Sequence, residues 1–314
     1  MTTTLSPLVT IGIPTYNRAD GNLKLALQSA MDQTYPNIEI IVSDNCSDDD
    51  TESVVRRYSD PRVRYFRQDQ NIGANANYNF CLEQARGDYF LLLHDDDLID
   101  PDFVATCMNA ADSDIDIGII RTGTRLINAN GDVLLEIPNR SDGSTVADLF
   151  LDWIEGKTAF YFCSTLFNTA KLKKNRGLRT KKNLYEDVAA GIKLTAAHGK
   201  LDIYDIKASF RRHSGNRAGN RGSVPLIIDW CEESLYLLDI IQSLVGNDRR
   251  ETIKQRGMNY FCKRNYRRAA SVKSFIKRLI IYIIISKKFN NAYSLISFIY
   301  YRHIKPKIRS MASI

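Results

Sequence analysis

Residues 88–103 read DYFLLLHDDDLIDPDF. Tyr89 to Leu93 are apolar without interruption, and a short apolar run between polar residues predicts a strand buried on both faces, as in a parallel sheet. Asp95, Asp96 and Asp97 follow at once, so they fall at the strand's carboxyl end, where open α/β sheets place their ligands. Adjacent carboxylates repel one another, and a divalent cation relieves that repulsion. All-oxygen donors point to Mg²⁺ or Mn²⁺, an ion of the kind that a substrate phosphate completes. The competing reading is a solvated acidic turn that caps the next helix, with Pro101 in its first turn.

The flanking sequence repeats the same grammar. Residues 8–14 (LVTIGIP) predict a strand ending at a proline, followed by a polar loop, Thr15-Tyr16-Asn17-Arg18. Apolar residues at Leu23, Leu27, Ala30 and Met31 predict a helix over 22–33, and 38–43 is the next strand. Strand, helix, strand is a βαβ unit and implies a parallel sheet. The second strand runs into Asp44 and the cluster Asp48–Asp50. An EF-hand loop is excluded there, because its glycine position falls on Asp49 and its twelfth position on Val55. Asp48–Asp50 instead cap the helix that follows, and Asp44 is placed to accept hydrogen bonds from a base or ribose. A third strand over 63–66 leads to Asn71-Ile72-Gly73, where Gly73 permits a tight turn and the asparagines cap a helix or reach a ligand. Residues 103–111 predict a helix, 115–120 a strand, and 124–137 a hairpin around Asn130-Gly131. A helix to residue 154 follows, then the aromatic segment 160–167, a helix opening at Glu186-Asp187, and one or two strands over 203–212.

At 314 residues and 44% apolar content the chain suits one large domain or one and a half, with material for a sizeable core. Residues 1–7 are polar and predict no secretory leader. The six cysteines (46, 81, 107, 163, 231, 262) contain no C-x-x-C pair, which argues against a zinc site or disulfide framework and fits a reducing cytosol. P-loop and G-x-G-x-x-G motifs are absent.

The net charge of +7 conceals a division. Residues 252–314 hold 15 of the 43 Lys and Arg and no acid, so residues 1–251 carry 28 basic against 36 acidic residues. From Pro225 the pattern is all-helical, over 225–245, 249–270, 272–286 and 289–302. The run LIIYIII at 279–285 is far short of the roughly 20 apolar residues needed to span a bilayer. A basic helix with an apolar face instead lies in the interface of an anionic membrane, the alternative being a bundle with a solvated basic face. Aromatic residues interleave with the basic ones, but no nucleic-acid motif accompanies them and no nucleic-acid partner is expected.

Taken in order, Ile13-Pro14-Thr15-Tyr16-Asn17-Arg18, Val42-Ser43-Asp44-Asn45, Asn71-Ile72-Gly73, the Asp triplet before Pro101-Asp102, Glu186-Asp187 and His213-Ser214 resemble the family 2 glycosyltransferases of the GT-A fold. The resemblance covers about residues 8–217. It implies a Rossmann-like α/β domain over 1–222, with a mostly parallel sheet flanked by helices, and a basic helical extension over 223–314. It implies an inverting, metal-assisted enzyme that uses a nucleoside-diphosphate-sugar. Pro14, Thr15, Tyr16, Asn17 and Arg18 correspond to the nucleotide loop, Asp44 to the carboxylate that reads base or ribose, and Asn71 and Gly73 to the loop supporting the nucleotide. Asp95, Asp96 and Asp97 correspond to the DxD-type motif, with Asp97, then Asp95, and His213 as metal ligands for Mn²⁺ or Mg²⁺. Many members read Asp-x-Asp-Asp where this chain has His94 in the first position. Asp187 corresponds to the general base, paired with Glu186. The implied acceptor is a glycan or lipid-linked glycan of surface polysaccharide synthesis, and the implied location is the cytoplasmic face of the plasma membrane, held there through residues 252–314.

Two other functions compete. A sugar nucleotidyltransferase needs a Gly-rich loop after the first strand, and here no glycine occurs until Gly21. A non-catalytic binding or scaffolding member of the same fold is compatible with the His94 departure and is opposed by Asp96, Asp97, Asp187 and His213.

Overall fold

The computed structural model describes residues 6–19, 21–112, 116–213 and 223–299. Ser214, the boundary expected at 222, the strand start expected at 115 and the last part of the basic tail lie outside the described residues. Two units emerge: Met1–Arg179 with Glu186–His213, and Thr180–Tyr185 with Ser214–Ile314.

In the first unit the chain runs β1 (Val9–Thr15), α1 (Asn22–Met31), β2 (Ile38–Asp44), α2 (Thr51–Arg56), β3 (Val63–Arg67), α3 (Ala74–Gln84), β4 (Tyr89–Leu92) and β5 (Leu98–Ile99). It continues with α4 (Phe103–Ala111), β6 (Ile119–Ile127), β7 (Val133–Ile137), α5 (Val146–Glu155), a 3₁₀ turn at Phe162–Ser164, β8 (Thr165–Asn168), α6 (Thr169–Lys174), α7 (Glu186–His198) and β9 (Lys200–Arg211). The strands form one sheet in the order β3-β2-β1-β4-β8-β6-β9-β5, with β7 paired to β6. Parallel ladders join β1 to β2 and β4, β2 to β3, and β6 to β9. The ladders of β8 to β4 and β6, of β5 to β9 and of β7 to β6 are antiparallel. The sheet is therefore parallel where βαβ crossovers build it and antiparallel where the β6–β7 hairpin and β8 enter.

The uninterrupted apolar run at 89–93 is buried on both faces, as its composition requires. Tyr89, Leu91 and Leu93 join Ile11, Ile13, Leu23, Leu27 and Phe103 in one core. Phe90 and Leu92 alternate to the other side and join Cys81, Leu82, Phe167 and Leu194. On that second face α3 lies close over β1 because residue 12 has no side chain. A Cβ there would sit 2.8 Å from Cys81 Cβ and from the Phe90 ring.

The chain leaves β1 for β2 and β3, then returns past β1 to β4. The carboxyl ends of β1 and β4 thus flank a topological switch point, the crevice where open α/β sheets bind ligands. Pro14 lies inside β1 rather than at its end. Gly12 O accepts from Leu93 N (2.9 Å), so alternate residues of β1 turn their backbone toward β4. Pro14 is the next such residue, and it lies beyond the last β1–β4 pair, Gly12↔Leu92, where no ladder hydrogen bond is lost.

The strand expected to end at 120 runs on to Ile127 as β6. Its Arg121, Thr122 and Thr124 are polar yet buried, which masks the strand pattern. Arg121 is accommodated by Asp202 (Nε to Oδ1, 2.9 Å), by the Ala159 carbonyl and by the Phe160 ring beneath its guanidinium.

The second unit comprises α8 (Val224–Leu244), α9 (Asn247–Ala269), α10 (Phe275–Lys288) and α11 (Leu295–Ile299). Buried Glu233 of α8 accepts hydrogen bonds from Thr180 Oγ1 and from Lys182 N (2.8 Å), so the 180–185 segment folds with the helices. Arg268 of α9 stacks 3.8 Å over the Trp230 ring. No helix among the described residues is long and apolar enough to cross a membrane.

Candidate active site

The loop after β1 is strapped to the loop after β2. Asn17 adopts a left-handed conformation (φ +52°), which asparagine tolerates better than most residues. Its backbone N–H donates to Ser47 Oγ (2.8 Å), and its Oδ1 accepts from Asp48 N (3.0 Å). Arg18 N donates to Thr51 Oγ1 and Ala19 N to Asp49 Oδ2. Asp49 also accepts from Thr51 N (3.0 Å), so among the three acids expected to start α2, Asp49 supplies the capping carboxylate. Tyr16 in this loop is 45% exposed.

Asp44 is fully buried, and each of its oxygens is engaged. Oδ1 accepts from Ser47 N (2.8 Å) and Oδ2 from the Tyr65 hydroxyl (2.6 Å). The structure thus places Asp44 beneath the loop as its organiser. Asn71 Oδ1 accepts from Gly73 N and Asn45 Nδ2, both at 2.9 Å, while Asn45 Oδ1 accepts from Ile72 N. Gly73 has φ +84°, which a side-chain-bearing residue adopts only with strain.

Asp95, Asp96 and Asp97 are 9%, 8% and 1% exposed. That burial is incompatible with a solvated acidic turn. Pro101 also lies ahead of the helix rather than in its first turn, since Asp102 is the N-cap of α4. Each carboxylate has its own partners. Asp95 Oδ2 accepts from Thr15 Oγ1 (2.8 Å), and Oδ1 lies 3.7 Å from Arg18 Nε, which ties the tip of β4 to the tip of β1. Asp96 Oδ2 is 2.7 Å from His213 Nε2. Asp97 Oδ1 accepts from Arg211 N (2.8 Å), and the buried Cys163 side chain stands near this carboxylate. Arg211 Nε donates to the Asp96 carbonyl (2.8 Å), so the end of β9 clamps the turn from both sides.

Burial, reinforced by the neighbouring Asp96 charge, pushes the Asp95 carboxyl up to about 7. The same two causes hold Asp97 well above the usual carboxylate range. Within this group the atoms arranged to share an ion come from His94, Asp96 and Asp97, whose donors lie within 4.8 Å of one another. Asp95, expected as a ligand, faces Thr15 and Arg18 instead. His213 meets Asp96, and His94 joins the donor group. Two carboxylates and an imidazole are a donor set that fits a divalent cation.

Glu186 and Asp187 open α7. Buried Glu186 receives Asn75 Nδ2 of α3 (3.3 Å), and Asp187 is half-buried in the first turn. The alternate asparagines of α3 are scaffold. Asn75 Nδ2 reaches the Leu178 carbonyl (2.7 Å), Leu178 N donates to Asn79 Oδ1 (2.9 Å), and Asn77 exchanges hydrogen bonds with Ser43 at the end of β2 (2.6 and 2.9 Å). Through these contacts one helix links the tip of β2 to the start of α7. The Asn-x-Asn-x-Asn spacing was visible in the sequence, but its partners lie up to 111 residues away. The clamping role of Arg211 carried no sequence signal.

Residues 10–150 match the model of glycosyl transferase family 2. A Campylobacter jejuni GalNAc(5)-diNAcBac-PP-undecaprenol beta-1,3-glucosyltransferase is 39% identical over 108 residues, 33% of this chain and 35% of that protein. The chain therefore spans about a third of that relative's length. The Staphylococcus aureus TarS fragment 1–349, solved in complex with UDP-GlcNAc, superposes with a TM-score of 0.59 at 15% identity, covering 92% of this chain and 93% of that one. The mannosyltransferase PcManGT from Pyrobaculum calidifontis, in complex with GDP-Man and Mn²⁺, gives 0.57 at 17% identity over 94% and 85% of the two chains. The match over residues 10–150 places that stretch in glycosyl transferase family 2, and the likeness to the two solved structures shows the GT-A fold.

Proposed function

We propose that this protein transfers a sugar from a nucleoside-diphosphate-sugar to a hydroxyl of a glycan or lipid-linked glycan, with inversion at the anomeric carbon, in surface polysaccharide synthesis. The observation that carries the proposal is the withdrawal of Asp95, Asp96 and Asp97 from water at the crevice between β1 and β4. Such a cluster is poised for a cation and the diphosphate that accompanies it. Asp96 and Asp97 hold the ion, His213 orients Asp96, and Asp95 braces Thr15 and Arg18 against the donor. When bound, Mn²⁺ or Mg²⁺ neutralises charge developing on the leaving diphosphate. Thr15, Tyr16, Asn17 and Arg18 line the nucleotide side above Pro14. Asp44 fixes that loop from below, and Asn71 and Gly73 shape the neighbouring turn. Asp187 accepts the proton of the acceptor hydroxyl as the new C–O bond forms and the bond to the diphosphate breaks. Glu186, bonded to Asn75, fixes the first turn of α7 that carries Asp187.

We further propose that the second unit docks peripherally on an anionic membrane at the cytoplasmic face. Phe275, Ile276, Leu279, Ile280 and Ile283 of α10 are exposed at helical spacing, while Ile281, Tyr282 and Ile285 are buried on the other side. Lys277, Arg278, Lys287 and Lys288 flank the stripe. A helix of 14 residues is about 21 Å long, too short to span a bilayer but suited to lie in its interface.

Replacing Asp187 with Asn is expected to lower the turnover number by roughly 10²–10⁴-fold and to leave nucleotide affinity in place. Near-normal turnover in a steady-state transfer assay would remove Asp187 from the role of base. Asp95 and Asp97 bind their protons more tightly in the folded chain than their ordinary value of 3.8 allows in the unfolded one. The stability they contribute is present below that value and is lost as pH rises through about 7 for Asp95. An ion held by Asp96 and Asp97 displaces the proton of Asp97 and, by its charge, disfavours that of adjacent Asp95, so the melting-temperature increase caused by Mn²⁺ should grow from pH 5.5 to 8, and a pH-independent increase would contradict the assignment. Sedimentation with phosphatidylglycerol vesicles should fall by about tenfold or more in an Ile276→Glu, Ile280→Glu double variant. Equal sedimentation of wild type and variant would exclude α10 as the docking face.

A further inference from the structure

The position that departs from the family pattern lies inside the proposed cation site. His94 stands where many members carry Asp. Its imidazole sits beside the Tyr78 and Phe162 rings, with centroids 5.0 and 5.5 Å away. Nδ1 lies 3.7 Å from Asp97 Oδ2, and one donor each from His94, Asp96 and Asp97 falls within 4.8 Å of the others. Around an octahedral ion with bonds of about 2.1 Å, donors lie about 3.0 Å apart in cis and about 4.2 Å in trans. A contraction of a few tenths of an ångström per donor brings the three onto one ion.

We propose that His94 is a direct ligand of the cation and makes the site selective for Mn²⁺ over Mg²⁺ and Ca²⁺. The inference rests on the proposed donor site. Mg²⁺ and Ca²⁺ are hard ions that favour oxygen ligands, and Mg²⁺ surrenders its water reluctantly. First-row transition ions accept an imidazole nitrogen more readily than Mg²⁺ or Ca²⁺ do, and Mn²⁺, the weakest binder of that series, is also the one that shares the carboxylate and water preference of Mg²⁺. The surrounding contacts fix the carboxylates for this arrangement. His213 holds Oδ2 of Asp96, and the Arg211 N–H holds Oδ1 of Asp97, so the second oxygen of each can turn to the ion. The nitrogen supplied by His94 replaces a carboxylate oxygen, lowering the negative charge of the set by one and weakening its hold on Mg²⁺ and Ca²⁺ most.

The test is titration of the full chain with MnCl₂, MgCl₂ and CaCl₂ by calorimetry, together with pulsed electron paramagnetic resonance of the Mn²⁺ form. Mn²⁺ should bind at least about tenfold more tightly than Mg²⁺. The Mn²⁺ spectrum should show ¹⁴N modulation that disappears in His94→Gln and persists in His213→Gln. His94→Asp, which restores an oxygen donor and tests the idea if the Gln variant fails to fold, should reduce the Mn²⁺ preference to about threefold or less. Modulation unchanged in His94→Gln, or a preference unchanged in His94→Asp, would overturn the assignment and leave His94 as a charge partner of Asp97. Failure of every cation to bind the wild type would overturn the metal-assisted reading itself, and this inference with it.

Discussion

Taking Asp95, Asp96 and Asp97 out of water together costs several kcal/mol per charge unless other groups compensate. The architecture around the turn is the set of compensations. Thr15 and Arg18 reach Asp95 from the end of β1, the Arg211 backbone and His213 reach Asp97 and Asp96 from the end of β9 and just beyond it, and the Cys163 side chain of the 3₁₀ turn stands near Asp97. Those groups come from three distant parts of the chain and meet because β4 lies at the centre of the sheet, buried on both faces. The protein-derived contacts are incomplete compensation, since the Asp95 and Asp97 carboxyls still hold their protons more tightly than ordinary carboxylates. In the proposed reading a cation supplies what the protein does not.

The same constraint accounts for the hydrogen bonding of the neighbouring loops. A site that relies on a few directed contacts tolerates little movement, and displacements of an ångström are costly in transfer chemistry. The loop after β1 is accordingly fixed by hydrogen bonds to residues 47–51, and the turn at Asn71–Gly73 by the Asn45 amide. The asparagines of α3 extend this scaffold to Leu178 and Glu186. Acidic residues concentrate in the portion of the chain that includes this site, and the basic excess falls in the helical portion.

Local features of this fold were legible in the sequence. The run Tyr89–Leu93 announced a buried strand, the βαβ pattern announced the parallel ladders around β1, and Asn130-Gly131 announced the β6–β7 hairpin. Long-range pairings were not legible. Arg121 reads as a strand breaker until Asp202 is placed beside it, and His213 reads as a lone histidine until it meets Asp96, 117 residues earlier. Asp44 and Asn71 were visible as polar residues at loop positions, but their engagement with Tyr65, Ser47, Gly73 and Asn45 depends on how β2, β3 and α3 converge. Periodicity reports which face a residue occupies, and it carries no information on which polar group waits there.

The most direct measurement is anomalous diffraction at the manganese edge from crystals grown with MnCl₂ and, in separate crystals, UDP or GDP. The account predicts an anomalous peak bonded to Asp96 and Asp97 between the tips of β1 and β4, with the diphosphate of the favoured nucleotide completing its coordination. A manganese peak only elsewhere on the protein, with the acidic turn and its hydrogen bonds unaltered, would contradict the claim that these buried carboxylates exist to hold a cation.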